Sequence, residues 1–338
     1  MIRMRGSTVP AGFAPRARER TSCLLCGTDD PSPFRSSRVH LAPGGAEVFH
    51  FVRCSSCDLV YLNPRPTRSA MGGFYPPGYP PHRGPAAWGR WKSLVELSER
   101  ALDRKRVRRL LSLVDLSPED TVVDVGCGRP TFLQALRSRV RARLVGMDPT
   151  DEGWRGSSRL RSGLDLLEGT FPELEIAIRT KAPHGFRAAT LWHALEHDPS
   201  PRVTLRSLRR LAAPGARLLV EVPDLSSPAA QLQGEDWGGL HTPRHTVLYT
   251  PETLARTLAS AGWTVEGIHR YGTLHPYTLW WLGRQVRKGR ALDGPLERHF
   301  PGFVAGRILW SPLTSLQRWL PLGVQSAVAR AEPRDDSG

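Results

Sequence analysis

Thr121-Val122-Val123-Asp124-Val125-Gly126-Cys127-Gly128-Arg129-Pro130-Thr131-Phe132-Leu133 is the stretch on which the fold turns. The run to Val125 is β-branched and apolar except for Asp124, which is the composition of a buried strand. Gly126 and Gly128 supply a tight turn, and Pro130 is placed to open a helix that runs to about Val140. Twenty residues past Gly128, Leu144-Val145-Gly146-Met147-Asp148 forms a second short strand that ends in an acid.

Strand, glycine turn, helix, strand and terminal acid make a Rossmann-type unit. The glycines let the backbone approach a ligand. The helix start offers N–H groups to a carboxylate or phosphate. Asp148 can accept hydrogen bonds from two ribose hydroxyls. A dinucleotide fingerprint wants a third glycine at position 131, where this chain has Thr131, and that argues against NAD.

Working outward, Trp91 to Val114 has helical spacing. Phe186 to His193 and Arg217 to Pro223 read as strands four and five, joined by a helix from Val203 to Leu211 and the turn Ala213-Pro214-Gly215. Thr250 caps a helix with Pro251 at its first position, and Trp263 to Tyr271 is a sixth strand.

The amino-terminal side carries a different signal. Cys23-x2-Cys26 and Cys54-x2-Cys57 are two knuckles, the pattern of a structural four-sulfur zinc site. The gap between them is long enough for a β-hairpin, as in a zinc ribbon. Strand-like runs at Val48–Arg53 and Leu59–Leu62 flank the second knuckle. So small a module buries little core, and the metal contributes its folding energy. The expected organisation is a disordered tail (1–20), a zinc-binding module (21–66) and a Pro/Gly-rich linker (67–90). An α/β domain (91–330) with a basic helical insert (273–319) and a tail (331–338) follow. Phe74, Tyr75 and Tyr79 either fold over a neighbouring site or pin the linker to the surface.

The chain has 338 residues, 40% of them apolar and 23% charged, which excludes fibrous, wholly disordered and disulfide-dense classes. No stretch is apolar for long enough to span a membrane and the amino terminus lacks a signal-peptide core, so a cytoplasmic protein is expected. The formal net charge is +15, but only four basic residues are lysine (Lys92, Lys105, Lys181 and Lys288) and the rest are spread-out arginines. Solvated arginine faces and anionic small molecules explain this better than a dedicated nucleic-acid surface. From Arg284 to Arg318, seven basic residues stand against Asp293 and Glu297. This insert fits a cap over an acceptor pocket or a homodimer face better than a peripheral membrane contact.

The ordered motifs resemble those of class I S-adenosylmethionine (SAM)-dependent methyltransferases over residues 91–272. VDVGCG is similar to that family's first motif, LWHALEHDPSP to its strand-four motif, and LRRLAAPGARLLVEVP to its strand-five motif. RCSSCDLVYLNPRP and WGGLHTPRHTVLYTPETL resemble segments of a bacterial subgroup with an amino-terminal zinc module. That subgroup includes sugar C-methyltransferases and enzymes presumed to act on glycans or secondary metabolites. The resemblance implies an α/β, Rossmann-like seven-stranded sheet whose last strand, Gly323 to Arg330, is antiparallel.

It also implies site residues. Asp124, Gly126 and Gly128 would cradle the methionine part of SAM, Asp148 would hold the ribose, and Glu168-Gly169-Thr170 would flank adenine. Thr170 stands where the family has an acid, and Pro130 where it has glycine. Methyl transfer needs alignment and, for a hydroxyl or carbon acid, a base. The sugar enzymes carry a Tyr-x-Glu-His run whose counterpart here is Thr242-Pro243-Arg244-His245. His245 is the first candidate for the base. His193, at the end of strand four, is the second, with a cofactor contact as its other reading. Arg244 is either a partner for a substrate phosphate or a surface residue, and Trp237 either lines the acceptor pocket or anchors packing. His241 and His245 are four apart, but Pro243 between them makes a loop, so no second metal site is expected there. The expected acceptor is a small molecule: a sugar, nucleotide-sugar or secondary-metabolite precursor. An RNA methyltransferase is the rival enzyme. A zinc-ribbon protein binding nucleic acid or a partner, with a degenerate Rossmann domain, is the rival outside catalysis.

Overall fold

The amino-terminal strands are short and are separated by turn residues. After β1 (Arg18–Glu19), an antiparallel meander runs through β2 (Pro31–Arg38), β3 (Val48–Cys54) and β4 (Val60–Leu62). Then β5 (Arg65–Pro66) returns to pair with β1. The hairpin expected between the two cysteine pairs is β2–β3. The computed structural model describes residues 17–41, 47–75, 83–170, 173–292 and 294–332. The tails expected at 1–20 and 331–338 and the middle of the 67–90 stretch, Tyr79 included, lie largely outside these residues.

The central sheet contains β6 (Thr121–Val125), β7 (Arg143–Asp148), β8 (Asp165–Glu168), β9 (Phe186–Trp192) and β10 (Ala212–Pro223). Next, β11 (Val247–Leu248) leaves the sheet and pairs with β4, so the amino-terminal sheet takes its fourth strand from the segment between β10 and β12. β12 (Thr264–His269) and β13 (Val324–Arg330) complete the larger sheet, ordered β12-β13-β10-β9-β6-β7-β8. The other neighbours are parallel, and β13 is antiparallel to both β10 and β12. This is the seven-stranded, Rossmann-like α/β sheet with a reversed last strand.

Every residue of β6 is buried, as a central parallel strand covered on both faces requires. Its cover includes the Pro201–Leu211 helix, which buries Leu205, Leu208 and Leu211 and turns Val203, Arg206 and Arg210 outward. The Pro251–Ser260 helix starts at a capping box in which Thr250 and Thr253 satisfy each other's backbone N–H groups. Trp263 is buried between these helices, and its indole N–H donates to Leu205 O at 2.9 Å.

Two boundaries differ from the sequence reading. The helix after the glycine turn covers Thr131–Arg137 and stops short of Val140, and Pro130 is its N-cap rather than its first helical residue. The Pro/Gly-rich stretch is also not bare linker. It contains helical turns at Arg68–Met71, Gly72–Phe74 and Gly84–Trp91, and it buries Phe74 against Phe49.

Candidate functional site

The carboxyl ends of parallel strands are where open α/β sheets expose backbone groups to ligands. At the end of β6, Gly126 has φ +71° and Gly128 has φ +48°. A Cβ on Gly126 would stand 2.6 Å from Ala194 Cβ, so this turn lies directly against the segment that follows β9. Gly128 has open space where a Cβ would point. Asp148, at the end of β7, accepts from Gly128 N at 3.0 Å and from Thr150 N at 3.2 Å. Asp124 is buried and accepts from the Thr190 hydroxyl at 2.5 Å. Burial pushes its carboxyl up to about 7, against the lowering effect of that hydrogen bond. This glycine turn and its two acids, with open space at Gly128, are residues that could hold the polar groups of a cofactor.

His193 follows β9 in a left-handed conformation, φ +56°. Its Nδ1 lies 3.3 Å from Glu196 Oε1 and its Nε2 3.0 Å from Glu221 Oε1. Burial works against charge on this ring, but the two carboxylates outweigh it and raise the pKa to about 9. Glu221, inside β10, is held at about 2 despite its burial, because His193 bonds to it and Thr273 N donates to it.

His245 lies deeper. Its Nδ1 donates to Gly239 O at 2.8 Å, and its Nε2 is 4.0 Å from Glu196 Oε1. Its ring meets His197 edge-on at 4.4 Å, and the His241 ring lies 5.2 Å from it and 6.2 Å from His197. Burial and neighbouring cations keep His245 and His241 well below the ordinary histidine value. Tyr75 does fold over this cluster, its hydroxyl 3.1 Å from His197 Nδ1.

Two residues depart from both sequence readings or from one of them. Arg244 is fully buried rather than at the surface, and it donates to Phe74 O at 2.7 Å and His40 O at 3.0 Å. It ties the loop to the amino-terminal sheet, and those donors do not face a substrate phosphate. Trp237 is fully buried with Phe49, Leu62 and Phe74, as a packing anchor. The sequence reading missed Glu196, His197 and Glu221 as members of the cluster. The available signals were an acid–histidine pair just after a strand, and a lone acid within the apolar run of β10.

A cavity of about 350 Å³ opens on the other side of Glu221, lined by Lys105, Arg108, Arg109, Trp192 and Arg318. It does not include the Gly126–Gly128 turn. Arg109 has a buried guanidinium nitrogen, Nη2, without a hydrogen-bond partner among the described residues. The basic insert lies nearby as the helices Tyr277–Arg287 and Phe300–Ser315, and it exposes Ile308, Leu309 and Trp319. No described helix is long and apolar enough to cross a membrane.

The four cysteines converge. Cys23 and Cys57 sulfurs are 3.4 Å apart, Cys26 and Cys54 sulfurs 3.5 Å, and all four lie within 4.8 Å of one another as free thiols. Sulfurs of a tetrahedral zinc site stand about 3.8 Å apart, so the group fits such an ion. Arg202 donates to Leu25 O at 2.5 Å and Arg256 to Cys57 O, which fastens both knuckles to helices of the catalytic sheet.

Residues 96–267, just over half of the chain, match a family model described as a methyltransferase domain. A 37.1 kDa uncharacterized protein in transposon TN4556 of Streptomyces fradiae is 27% identical over 120 residues, 35% of this chain and 34% of that protein. The chain thus spans about a third of the length of that curated relative. A Haloferax volcanii methyltransferase, solved with its Trm112 activator, is similar at 17% identity and TM-score 0.47, over 74% of this chain and 97% of that one. The (4+2)-cyclase SpnF is similar at 17% identity and TM-score 0.49, over 80% of this chain and 98% of that one.

Proposed function

The chain belongs to the methyltransferase-domain family, and we propose that it transfers a methyl group from SAM to a small-molecule acceptor, with His245 as the base. The acceptor is a sugar, nucleotide-sugar or secondary-metabolite precursor. The observation that carries this reading is the contact between the glycine turn and the segment after β9. It sets a cofactor cradle beside a buried histidine cluster.

SAM supplies an electrophilic methyl on a sulfonium. Asp124, Gly126 and Gly128 hold its methionine part and Asp148 its ribose. His245 donates through Nδ1 to Gly239 O, so its lone pair is on Nε2, where it takes the acceptor's proton. His193 is a positioning residue here. A ring that Glu196 and Glu221 already hold charged orders those carboxylates and does not serve as the base. The basic cavity beside Glu221 takes the acceptor's anionic end, and its volume is that of a small-molecule pocket. The four cysteines hold zinc in a structural role, since four thiolates leave no open position.

Calorimetric titration of the zinc-loaded protein with SAM and S-adenosylhomocysteine tests the reading. Saturable binding that Asp148→Ala abolishes is expected. Turnover with nucleotide-sugars should then fall at least a hundredfold in His245→Ala, in line with loss of a general base. No binding by the folded wild type would sink the proposal.

A further inference from the structure

Beside the proposed transfer site, two histidines and a glutamate bring potential metal-ligand atoms together. Gly239 O lies 2.8 Å from His245 Nδ1, and Arg244 O lies 3.2 Å from His197 Nδ1. A carbonyl oxygen only accepts, so His245 carries its proton on Nδ1 and a lone pair on Nε2, while His197 Nδ1 is shared between Arg244 O and the Tyr75 hydroxyl at 3.1 Å. Glu196 is 1% exposed. Its Oε1 accepts from His193, and its Oε2 has no hydrogen-bond partner among the described residues. One ligand atom from each of Glu196, His197 and His245 lies within 4.8 Å of the others.

Glu196 Oε1 is the carboxylate oxygen that faces His245 Nε2, at 4.0 Å, and Oε2 stays without a hydrogen bond among the described residues on the same buried carboxylate.

We propose that Glu196, His197 and His245 form a second metal site, separate from the four cysteines, for a divalent transition-metal ion of zinc-like chemistry. Two imidazoles and a carboxylate are a recurrent ligand set for zinc, with a further position left open. The outer contacts match as well. Metal-bound histidines pass their other N–H to a carbonyl or a similar group, as Gly239 O and Arg244 O provide here. Nitrogen and oxygen ligands of tetrahedral zinc stand about 3.3 Å apart, so the 4.0 Å between His245 Nε2 and Glu196 Oε1 closes by several tenths of an ångström on binding. Glu196 and Glu221 both bond to the His193 ring, and the Arg106 and Arg244 guanidinium groups also act on the cluster.

The site differs from the pair weighed on sequence alone. His245 takes part, but its partners come from the Glu196–His197 step after β9, not from His241. One consequence rests on the reading of His245 as the base: a bound ion occupies the Nε2 lone pair that would take the acceptor's proton, so occupancy withholds the base. The site itself does not depend on that reading.

The test uses the full chain, loaded with one equivalent of zinc and then titrated with cobalt(II). Metal content and the visible d–d bands are followed. A second equivalent should bind without thiolate charge-transfer absorption. His197→Ala should abolish it, and Glu196→Gln, which keeps the shape of the side chain, should weaken it about tenfold or more. One metal per chain at saturating cobalt, or a second equivalent that both variants retain, would overturn the proposal. SAM calorimetry on the same samples separates the two readings, since failure to bind SAM counts against the methyltransferase proposal and leaves the cobalt stoichiometry standing.

Discussion

The four-cysteine centre and the histidine cluster are both groups of potential ligands, and they are built in opposite ways. Each cysteine pair comes from one tight turn, and a hairpin brings the two turns together. The histidine cluster draws Glu196 and His197 from the segment after β9, Glu221 from β10 and His245 from the loop before β11. A site assembled within local turns shows in residue spacing. One assembled at strand ends shows only once the strand order is known.

Breaking the cysteine centre should have the largest effect. Cys54→Ala or a strong chelator removes a binding energy of about 10–16 kcal/mol in comparable zinc modules, much of it folding energy. Far-UV circular dichroism and limited proteolysis should show the β2–β3–β4 sheet lost, with the histidine cluster loosened through β11.

The next test cuts the strut between the two regions. Arg244→Met strands the carbonyls of Phe74 and His40, at about 1–3 kcal/mol each. Urea unfolding should show the loss in the full chain, with zinc content unchanged.

A smaller effect isolates the cofactor side. Burial raises the Asp124 carboxyl from 3.8 to about 7, so the folded state favours its protonated form. The stability linked to that proton is fully present below the unfolded value near 3.8 and is lost as pH rises through about 7. Without cofactor, Asp124→Asn should therefore raise Tm at pH 8 and lose that advantage by pH 4. Equal Tm differences at both pH values would contradict the assignment.

The smallest effect tests the tether. Thr250→Ala removes the cap of the helix that carries Arg256 to Cys57 O, at a cost of about 1 kcal/mol. Thermal unfolding should register it without loss of zinc.

Much of the sheet was legible because β6, β7, β9 and β10 are apolar runs bounded by glycine or proline, whereas β13, with Gln325 and Ser326 inside it, was placed only by the family resemblance. The third strand, β8, was not read as a strand, since it is an edge strand of four residues without clear alternation. Nor was β11, whose two residues carry no period and are defined only by their partner β4. The glycine turn and Asp148 stood out because their geometry is local. Glu221 did not, because an acid inside a strand gains meaning only from His193, which reaches it from the next strand. Arg244 and Trp237 illustrate the same limit. Types suited to a pocket wall or the surface are placed in the interior by the pairing of β4 with β11.

That pairing has a consequence for the order in which the chain is made. Tyr61 meets Val247 across the β4–β11 ladder, so the amino-terminal sheet is finished only after the ribosome has passed residue 248. At about 5–20 residues per second, the nascent chain carries an open β4 edge for on the order of ten seconds or more. Its free N–H and C=O groups offer a template to other nascent chains throughout that interval. Early metal capture by the cysteines would hold the unfinished sheet together meanwhile. An amino-terminal fragment released on its own would keep that edge open permanently and be prone to self-association.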